Sequence, residues 1–117
     1  MEKEVFNSYM DQVQKYPLLS YENEVELSRR IESGDSRAKM LLVQSNLRLV
    51  VSIAKKLNVS KDCMMDLIQE GNLGLITAAA KFHYSFKTRF STYAYSWIMQ
   101  YMLRYLHNRC TPIALPH

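Results

Sequence analysis

Four side chains of very different chemistry share one face of a helix predicted near the carboxyl end of the chain. At about 100° per residue they fall within one narrow arc, while the opposite side carries enough apolar residues to supply the core. The arc holds Tyr93, Trp97, Gln100 and Arg104, and the opposite side holds Ala94, Tyr95, Ile98, Met102 and Leu106. Exposed aromatic rings beside Gln and Arg are typical of a surface that stacks bases and contacts phosphates. This face is therefore predicted to bind nucleic acid, and the alternative is an ordinary packed helix.

The groups needed for catalysis are missing from the same part of the chain. Residues 71–117 contain five basic residues and no carboxylate, whereas general acid–base catalysis needs paired titratable groups. The three His have no Cys or His neighbour at metal-ligand spacing. Cys63 and Cys110 lack the CxxC spacing of a metal or redox site, so we expect two reduced thiols. We expect no enzyme, no metal and no cofactor.

Three carboxylates form an acidic stripe, defined as Asp62, Asp66 and Glu70, at intervals of four residues along one helix face. A di-metal helical bundle would require Glu-x-x-His motifs, and Glu70 is followed at that spacing by Leu73. The stripe is therefore interpreted as a docking surface for a basic partner helix or as a solvated face.

The net charge of +4 is distributed unevenly along the chain. Residues 1–35 hold eight acidic and four basic residues, whereas residues 36–61 hold six basic residues and no acidic one. Together with the acid-free residues 71–117, this pattern indicates binding to a polyanion, although a solvated basic face has the same composition. No apolar run approaches the roughly 20 residues that cross a bilayer, so we expect a cytoplasmic protein without a membrane partner.

These side chains must be positioned by helices, because the 117 residues include only three Gly and three Pro and show no convincing strand pattern. The sequence predicts a compact all-α bundle of about five helices. The first ends near residue 16, and the others cover residues 21–33, 36–57, 61–82 and 92–108, with a connector at 83–90 and an extended tail at 111–117. The predicted N-caps are Ser20, Asp35 or Ser36, Ser60 and Ser91. Close packing is predicted at Gly71 and Gly74.

Several segments resemble a known family. Residues 46–56 (NLRLVVSIAKK), 66–75 (DLIQEGNLGL) and 90–94 (FSTYA) look like the second conserved region of bacterial RNA polymerase initiation factors of the sigma-70 type. Residues 17–20 (PLLS) and 29–35 (RRIESGD) are similar to the segment that precedes it, and Leu115-Pro116 to the start of the following region. The resemblance covers roughly residues 7–117. It implies a region 1.2-like segment at 1–35 and a region 2 domain at 36–117.

The resemblance implies two partners. Core RNA polymerase would bind through its beta-prime clamp helices, and the positions that match are Asp66, Gln69, Glu70 and Asn72. Promoter DNA would be opened at the minus-ten element by capture of flipped non-template bases, without covalent chemistry. Such a factor acts in the cytoplasm at the bacterial nucleoid, and an anti-sigma factor is a further candidate partner.

The resemblance also implies a role for each DNA-binding position. Phe90 and Tyr93 would line the pocket for the first unpaired adenine, and a second flipped base would be held by Asn46, Leu49 and Ser91. Gln100 would read the last intact base pair, and Trp97 would act as a wedge at the upstream duplex edge. Arg89 and Arg104 would hold phosphates.

Departures from the family pattern leave a second hypothesis open. Ser96 stands where the family usually has a second Trp, Met99 where Arg is usual, Leu103 where Thr is usual, and Phe86 where the connector normally has Arg. They indicate a specialised factor, or a protein-interaction module that keeps clamp binding, has lost DNA melting and acts as a decoy or regulator.

The chain stops before the family's helix-turn-helix for the minus-thirty-five element, so we expect a fragment or a protein without that function.

Overall fold

The computed structural model describes residues 2–110, and within that range every regular element is helical. The all-α class expected from the sequence is confirmed. The helices are α1 (Glu2–Val13), α2 (Tyr21–Glu32), α3 (Ser36–Gln44), α4 (Leu47–Lys56), α5 (Lys61–Lys81) and α6 (Phe90–Tyr105). A short 3-10 helix, Tyr84–Phe86, precedes α6, and a π-helical turn, Leu106–Cys110, follows it. The predicted extended tail at 111–117, with its Leu115-Pro116 motif, lies outside the described residues.

The two longest helices, α5 and α6, run antiparallel through the centre of the bundle. A Cβ atom on Gly74 would lie 2.6 Å from the carbonyl oxygen of Trp97 and 3.0 Å from the Cα of Ile98, so the two backbones are in contact there. A Cβ on Gly71 would meet the side chain of Met102 instead. The predicted close packing at both glycines is confirmed. The core around this pair includes Leu27, Leu42, Val50, Ile53, Leu67, Ile68, Leu75, Phe90, Ile98 and Met102.

Two predicted helix caps are present as expected. The Ser20 hydroxyl accepts a hydrogen bond from the Asn23 backbone N–H at 3.1 Å and begins α2. The Asp35 carboxylate accepts from the backbone N–H groups of Arg37 and Ala38 at 3.0 and 3.1 Å and begins α3. Gly34 lies between helices α2 and α3 with φ +94°, a left-handed conformation that glycine adopts without steric cost. The chain therefore turns sharply between α2 and α3.

The single long helix predicted between Asp35 and Asn58 is divided at Ser45 and Asn46. The Ser45 hydroxyl donates to the Leu41 carbonyl at 2.7 Å, and the Asn46 amide donates to the Leu42 carbonyl at 2.8 Å. These side chains satisfy carbonyl groups at the end of α3, a local alternative to helix continuation that Ser and Asn favour. The break separates α3 from α4, and Leu41 near the end of α3 is 46% exposed.

Helix α6 begins two residues earlier than predicted and is not capped by Ser91. Arg89 occupies the N-cap position but makes no side-chain hydrogen bond to the helix. The backbone N–H of Phe90 donates instead to the carboxylate of Glu24, at 3.1 Å, from helix α2. Ser91 consequently lies in the first turn of α6, with its side chain available for another role.

Two predictions about single side chains were wrong. Tyr95, expected on the core side of α6, is 40% exposed. The neighbouring core positions are filled by Ala94 and Ile98, which are both completely buried. Cys63, expected to be a reduced thiol, takes part in a disulfide bond. Sequence spacing alone did not indicate this bond, because it depends on which elements the fold brings together.

Polar contacts hold α1 and the segment after it against the bundle. The Arg48 guanidinium donates through Nη2 to the carbonyl oxygens of Gln14 and Tyr16, at 2.9 and 3.2 Å. The Asn72 amide on α5 donates to the Tyr9 hydroxyl at 3.0 Å. Partial burial raises the pKa of Tyr9, and this hydrogen bond offsets only part of the effect. Asn72 of α5 thus contacts α1 itself, and Arg48 of α4 fixes the segment that follows it.

Candidate nucleic-acid and protein interfaces

A cavity of about 520 Å³ lies where the α1–α2 connection, the α3–α4 break and the start of α6 meet. The structure brings together here the three residues predicted to hold a second flipped base, Asn46, Leu49 and Ser91. All three are partly exposed. The remaining lining residues are Leu18, Leu19, Glu24, Ser45, Arg48, Ser52 and Arg89. An amide, a hydroxyl and an apolar side chain around one concave surface can hydrogen-bond a base edge and pack against its ring.

Arg89 is paired within the fold, although its side chain is 47% exposed. It forms a two-nitrogen pair with the Glu24 carboxylate, with Nε and Nη2 donating at 3.0 and 2.9 Å, and Nη2 also donates to the Leu19 carbonyl at 3.0 Å. The hydrogen bond and the negative charge of Glu24 raise the pKa of Arg89. Because the charge is balanced within the fold, we leave Arg89 out of the proposed phosphate contacts.

Phe90 is the second predicted DNA-binding residue that the structure assigns to packing. None of its surface is exposed, and its ring packs edge-on against Phe82 with 5.2 Å between ring centroids. A ring in this position cannot receive a base without opening the core. Its predicted place in the adenine pocket is therefore corrected: Phe90 anchors the first turn of α6.

The ring of Tyr93 belongs to an aromatic cluster, defined as Phe82, Phe86, Phe90 and Tyr93. Tyr93 is half-buried, and its ring centroid lies 5.4 Å from those of both Phe82 and Phe86. Phe86 remains 47% exposed at the edge of the cluster. Sequence reasoning did not place Phe82 beside Tyr93. The four-residue spacing of Phe82, Phe86 and Phe90 could have indicated that these rings lie close together. Because residues 83–90 were predicted to be a connector, the spacing was not interpreted in this way.

The outer face of α6 combines aromatic rings with basic groups. Trp97 is half-buried rather than fully exposed, and the Lys81 ammonium lies 5.8 Å from its ring centroid. The Arg104 guanidinium lies 4.9 Å from the ring centroid of Tyr101, within the range of a cation–π contact. Gln100, between them, is exposed. The predicted arc of α6 therefore exists as a surface, and Lys81 is an additional cation beside it.

The acidic stripe lies on α5 beside the carboxyl end of α6. Asp62 and Asp66 are exposed, Glu70 is half-buried, and Gln69 is exposed next to it. The Tyr105 hydroxyl donates to Asp66 at 3.3 Å. Partial burial raises the pKa of Tyr105, and the charges of Asp66 and Glu70 raise it further. The stripe is therefore accessible to a partner.

Asn72 is separated in role from the other predicted polymerase-binding residues. Its amide nitrogen is engaged with the Tyr9 hydroxyl, and it is half-buried beneath α1. Its Oδ1 atom is buried and has no hydrogen-bond partner among the described residues. We assign Asn72 to the attachment of α1 and leave it out of the proposed polymerase contacts.

Two features of the described part of the chain bear on other classes of site. Residues 2–110 contain no group of three or more His, Cys, Asp or Glu side chains arranged to hold a metal ion. None of the described helices is both long enough and apolar enough to span a bilayer.

Known proteins identify the family. Residues 42–109 match the model of sigma-70 region 2, and residues 5–37 match that of sigma-70 factor region 1.2. The chain is 46% identical over 108 residues to an RNA polymerase sigma factor SigA from a Bacillus species, and equally to one from Clostridium acetobutylicum. Both alignments cover 92% of this chain but 29% of the relative, so the chain spans less than a third of their length. With the region 2 match covering more than half of its residues, the chain belongs to the sigma-70 family.

Proposed function

We propose that this chain is the part of a transcription initiation factor that binds core RNA polymerase and captures unpaired bases of the promoter minus-ten element. The work is done by binding alone, in the cytoplasm, with no covalent step. The polymerase would contact the acidic stripe and Gln69, and the non-template strand would follow the cavity and the outer face of α6.

The cavity is the observation that carries the DNA-binding part of this proposal. Asn46 and Leu49 come from the start of α4, and Ser91 comes from the first turn of α6, yet all three line one concave surface. Tyr93 lies on the same helix as Ser91, two residues further along the chain. Two residues correspond to about 200° around a helix, so a flipped base in the cavity and a base stacked on Tyr93 would lie on different sides of α6.

The energetics favour capture of bases that are already unpaired. Stacking on an aromatic ring contributes about 1–3 kcal/mol per base, whereas extruding a base from a duplex costs a few kcal/mol. One or two captured bases therefore offset part of the opening cost. The exposed cations Arg104, on α6, and Lys81, at the end of α5, supply further attraction for the strand.

The polymerase-binding part is supported by charge and exposure. Asp66 and Glu70 are one helical turn apart on α5, and exposed Gln69 lies beside them. A basic coiled coil, such as the beta-prime clamp helices, would complement this surface in charge. Binding of the clamp to α5 leaves the cavity side of α6 open to DNA.

The Ser91→Glu variant tests the DNA-binding part. A carboxylate in the first turn of a helix is favourable for the helix, but at Ser91 it would project into the cavity and repel the strand. We expect about tenfold weaker binding of a fluorescent minus-ten single strand, equivalent to about 1.4 kcal/mol. Ser36→Glu places the same group in the first turn of α3, away from the cavity, and should bind like the unaltered chain. Equal DNA affinity of the two variants would show that the cavity is not part of the DNA-binding site.

One observation favours the alternative of a protein-interaction module without DNA melting. The ring of Phe86 packs 5.4 Å from that of Tyr93 and occupies part of the space that a stacked base would need. This alternative predicts capture of core polymerase in a pull-down, together with equal and weak binding of minus-ten and scrambled single strands. Preference for the minus-ten strand over the scrambled one excludes it.

A further inference from the structure

The carboxylate of Glu24 connects segments that are far apart in the sequence. Its side chain is 5% exposed. One oxygen accepts from Arg89 Nε at 3.0 Å and from the Phe90 backbone N–H at 3.1 Å, and the other accepts from Arg89 Nη2 at 2.9 Å. Arg89 also donates to the Leu19 carbonyl at 3.0 Å. Helix α2 and the segment before it are thus joined to the start of α6.

This contact replaces the cap that α6 lacks locally. The first N–H groups of a helix need acceptors, and a carboxylate is favoured there by the positive end of the helix dipole. Arg89, at the N-cap, supplies no such acceptor. Because Glu24 supplies it from another helix, the position of the first turn of α6 depends on α2.

Glu24 also lines the cavity that contains Ser91, Asn46 and Leu49. It is a poor direct contact for DNA, because its two oxygens already accept three hydrogen bonds and its charge repels phosphates. Its influence on a bound strand must therefore pass through the residues that it holds in place.

We propose that Glu24 is a positioning residue for base capture. By capping α6 and pairing with Arg89, it sets the position of Ser91 relative to Asn46 and Leu49 across the cavity. This inference rests on the proposed function and deepens it. The competing explanation is that Arg89 contacts a phosphate and that Glu24 only restrains it.

The Glu24→Gln variant of the full chain gives opposite results under the two explanations. The amide preserves the size of the side chain but removes the charge and one acceptor. Positioning predicts about tenfold weaker binding of the minus-ten single strand, because a neutral amide holds Arg89 and the Phe90 N–H less strongly than a carboxylate does. Restraint predicts tighter binding and a steeper salt dependence, because Arg89 is released, and that result would overturn the proposal. Glu26→Gln removes the same charge from an exposed site on α2 and should change little.

A set of minus-ten strands, each with one abasic position, separates positioning from general destabilisation. At one position, removal of the base should weaken binding by the unaltered chain. If the same removal scarcely weakens binding by Glu24→Gln any further, that base is the one held in the cavity. If the losses from Glu24→Gln and from base removal add at every position, Glu24 does not act through the cavity.

A second variant applies if Glu24→Gln does not fold, as judged by circular dichroism. Arg89→Lys keeps the positive charge but cannot make the two-nitrogen contact, so positioning predicts weaker binding and a simple phosphate contact predicts unchanged binding. If the unaltered chain binds no minus-ten strand, the proposed function and this inference fail together. If it binds and the folded variants match it, this inference alone fails.

Discussion

Tyr93 illustrates how one residue can belong to both the core and a binding surface. Its ring is packed against Phe82 and Phe86, yet part of it remains exposed. The sequence-based view treated stacking and packing as opposite alternatives for this residue. Because the ring is half-buried, it can both pack against the core and stack on a base. Truncation of Tyr93 is therefore expected to affect both stability and DNA binding.

At Tyr93 we therefore expect losses in two separate measurements. Tyr93→Ala should lower the free energy of unfolding by about 1–2 kcal/mol, less than the 3–5 kcal/mol of a fully buried aromatic residue. It should also cost about 1–3 kcal/mol of binding to the minus-ten single strand. Tyr93→Phe should change neither, because the ring supplies the contacts. Thermal melts and fluorescence-anisotropy titrations on the same preparations provide the two values.

The matched control for Tyr93 lies two residues along the same helix. Tyr95 is 40% exposed, so Tyr95→Ala removes the same side chain from α6 with less loss of packing. Unchanged DNA affinity of Tyr93→Ala, with or without destabilisation, would show that Tyr93 does not stack on a base.

At the scale of elements, the contact between α5 and α6 depends on the backbone approach at Gly74. An alanine Cβ there would meet backbone atoms of Trp97 and Ile98, which cannot rotate away. Although alanine is better than glycine in a helix by about 1 kcal/mol, we expect Gly74→Ala to be destabilising by about 1–3 kcal/mol because of overpacking. Chemical denaturation measures the change. Gly71→Ala should cost less, because the atoms it meets belong to side chains, and a raised midpoint for Gly74→Ala would contradict this view of the contact.

The acidic stripe of α5 gives a prediction about partner binding. Asp66→Arg combined with Glu70→Lys replaces attraction by repulsion toward a basic helix and should abolish capture of core polymerase at moderate salt. The fold should persist, because Asp66 is exposed and Glu70 is only half-buried. Asp11→Arg with Glu26→Lys makes the same change in net charge elsewhere on the surface and should leave capture intact. Undiminished capture by the folded stripe variant would remove this surface from the interface.

The elements also show which features a single sequence can and cannot predict. A helix cap or a helix glycine is recognised from its near neighbours in the sequence. The predicted caps at Ser20 and Asp35 and the predicted close packing at Gly71 and Gly74 are therefore correct. The cap of α6 was not predicted correctly, because Glu24 acts on Phe90 across 66 residues of chain. The same contact decides that Arg89 is paired rather than free. For the candidate site, the cavity-lining positions came from the family resemblance, whereas local spacing could not show that they meet.

For the whole molecule, the charge distribution predicts salt-dependent DNA binding. With Arg89 paired to Glu24, the cations available near α6 are Lys81, Lys87, Arg104 and Arg109, all exposed. Three or four phosphate contacts correspond to a slope of about −2 to −3 in log affinity against log salt for a single strand. Titrations between low and physiological salt measure this slope. A slope near zero would indicate that the basic surface is only solvated.

The Asn72–Tyr9 hydrogen bond on α1 and the contacts of Arg48 with the segment after α1 have a consequence for hydrogen exchange. A terminal helix that packs against the core through a few partly buried side chains, here Phe6, Tyr9 and Met10, can detach as a unit at a lower free energy than global unfolding. Backbone amides of α1 should therefore exchange deuterium together and early, while those of α5 and α6 remain protected. Arg48 also lines the cavity, so a strand bound there should slow exchange in a helix that it never touches.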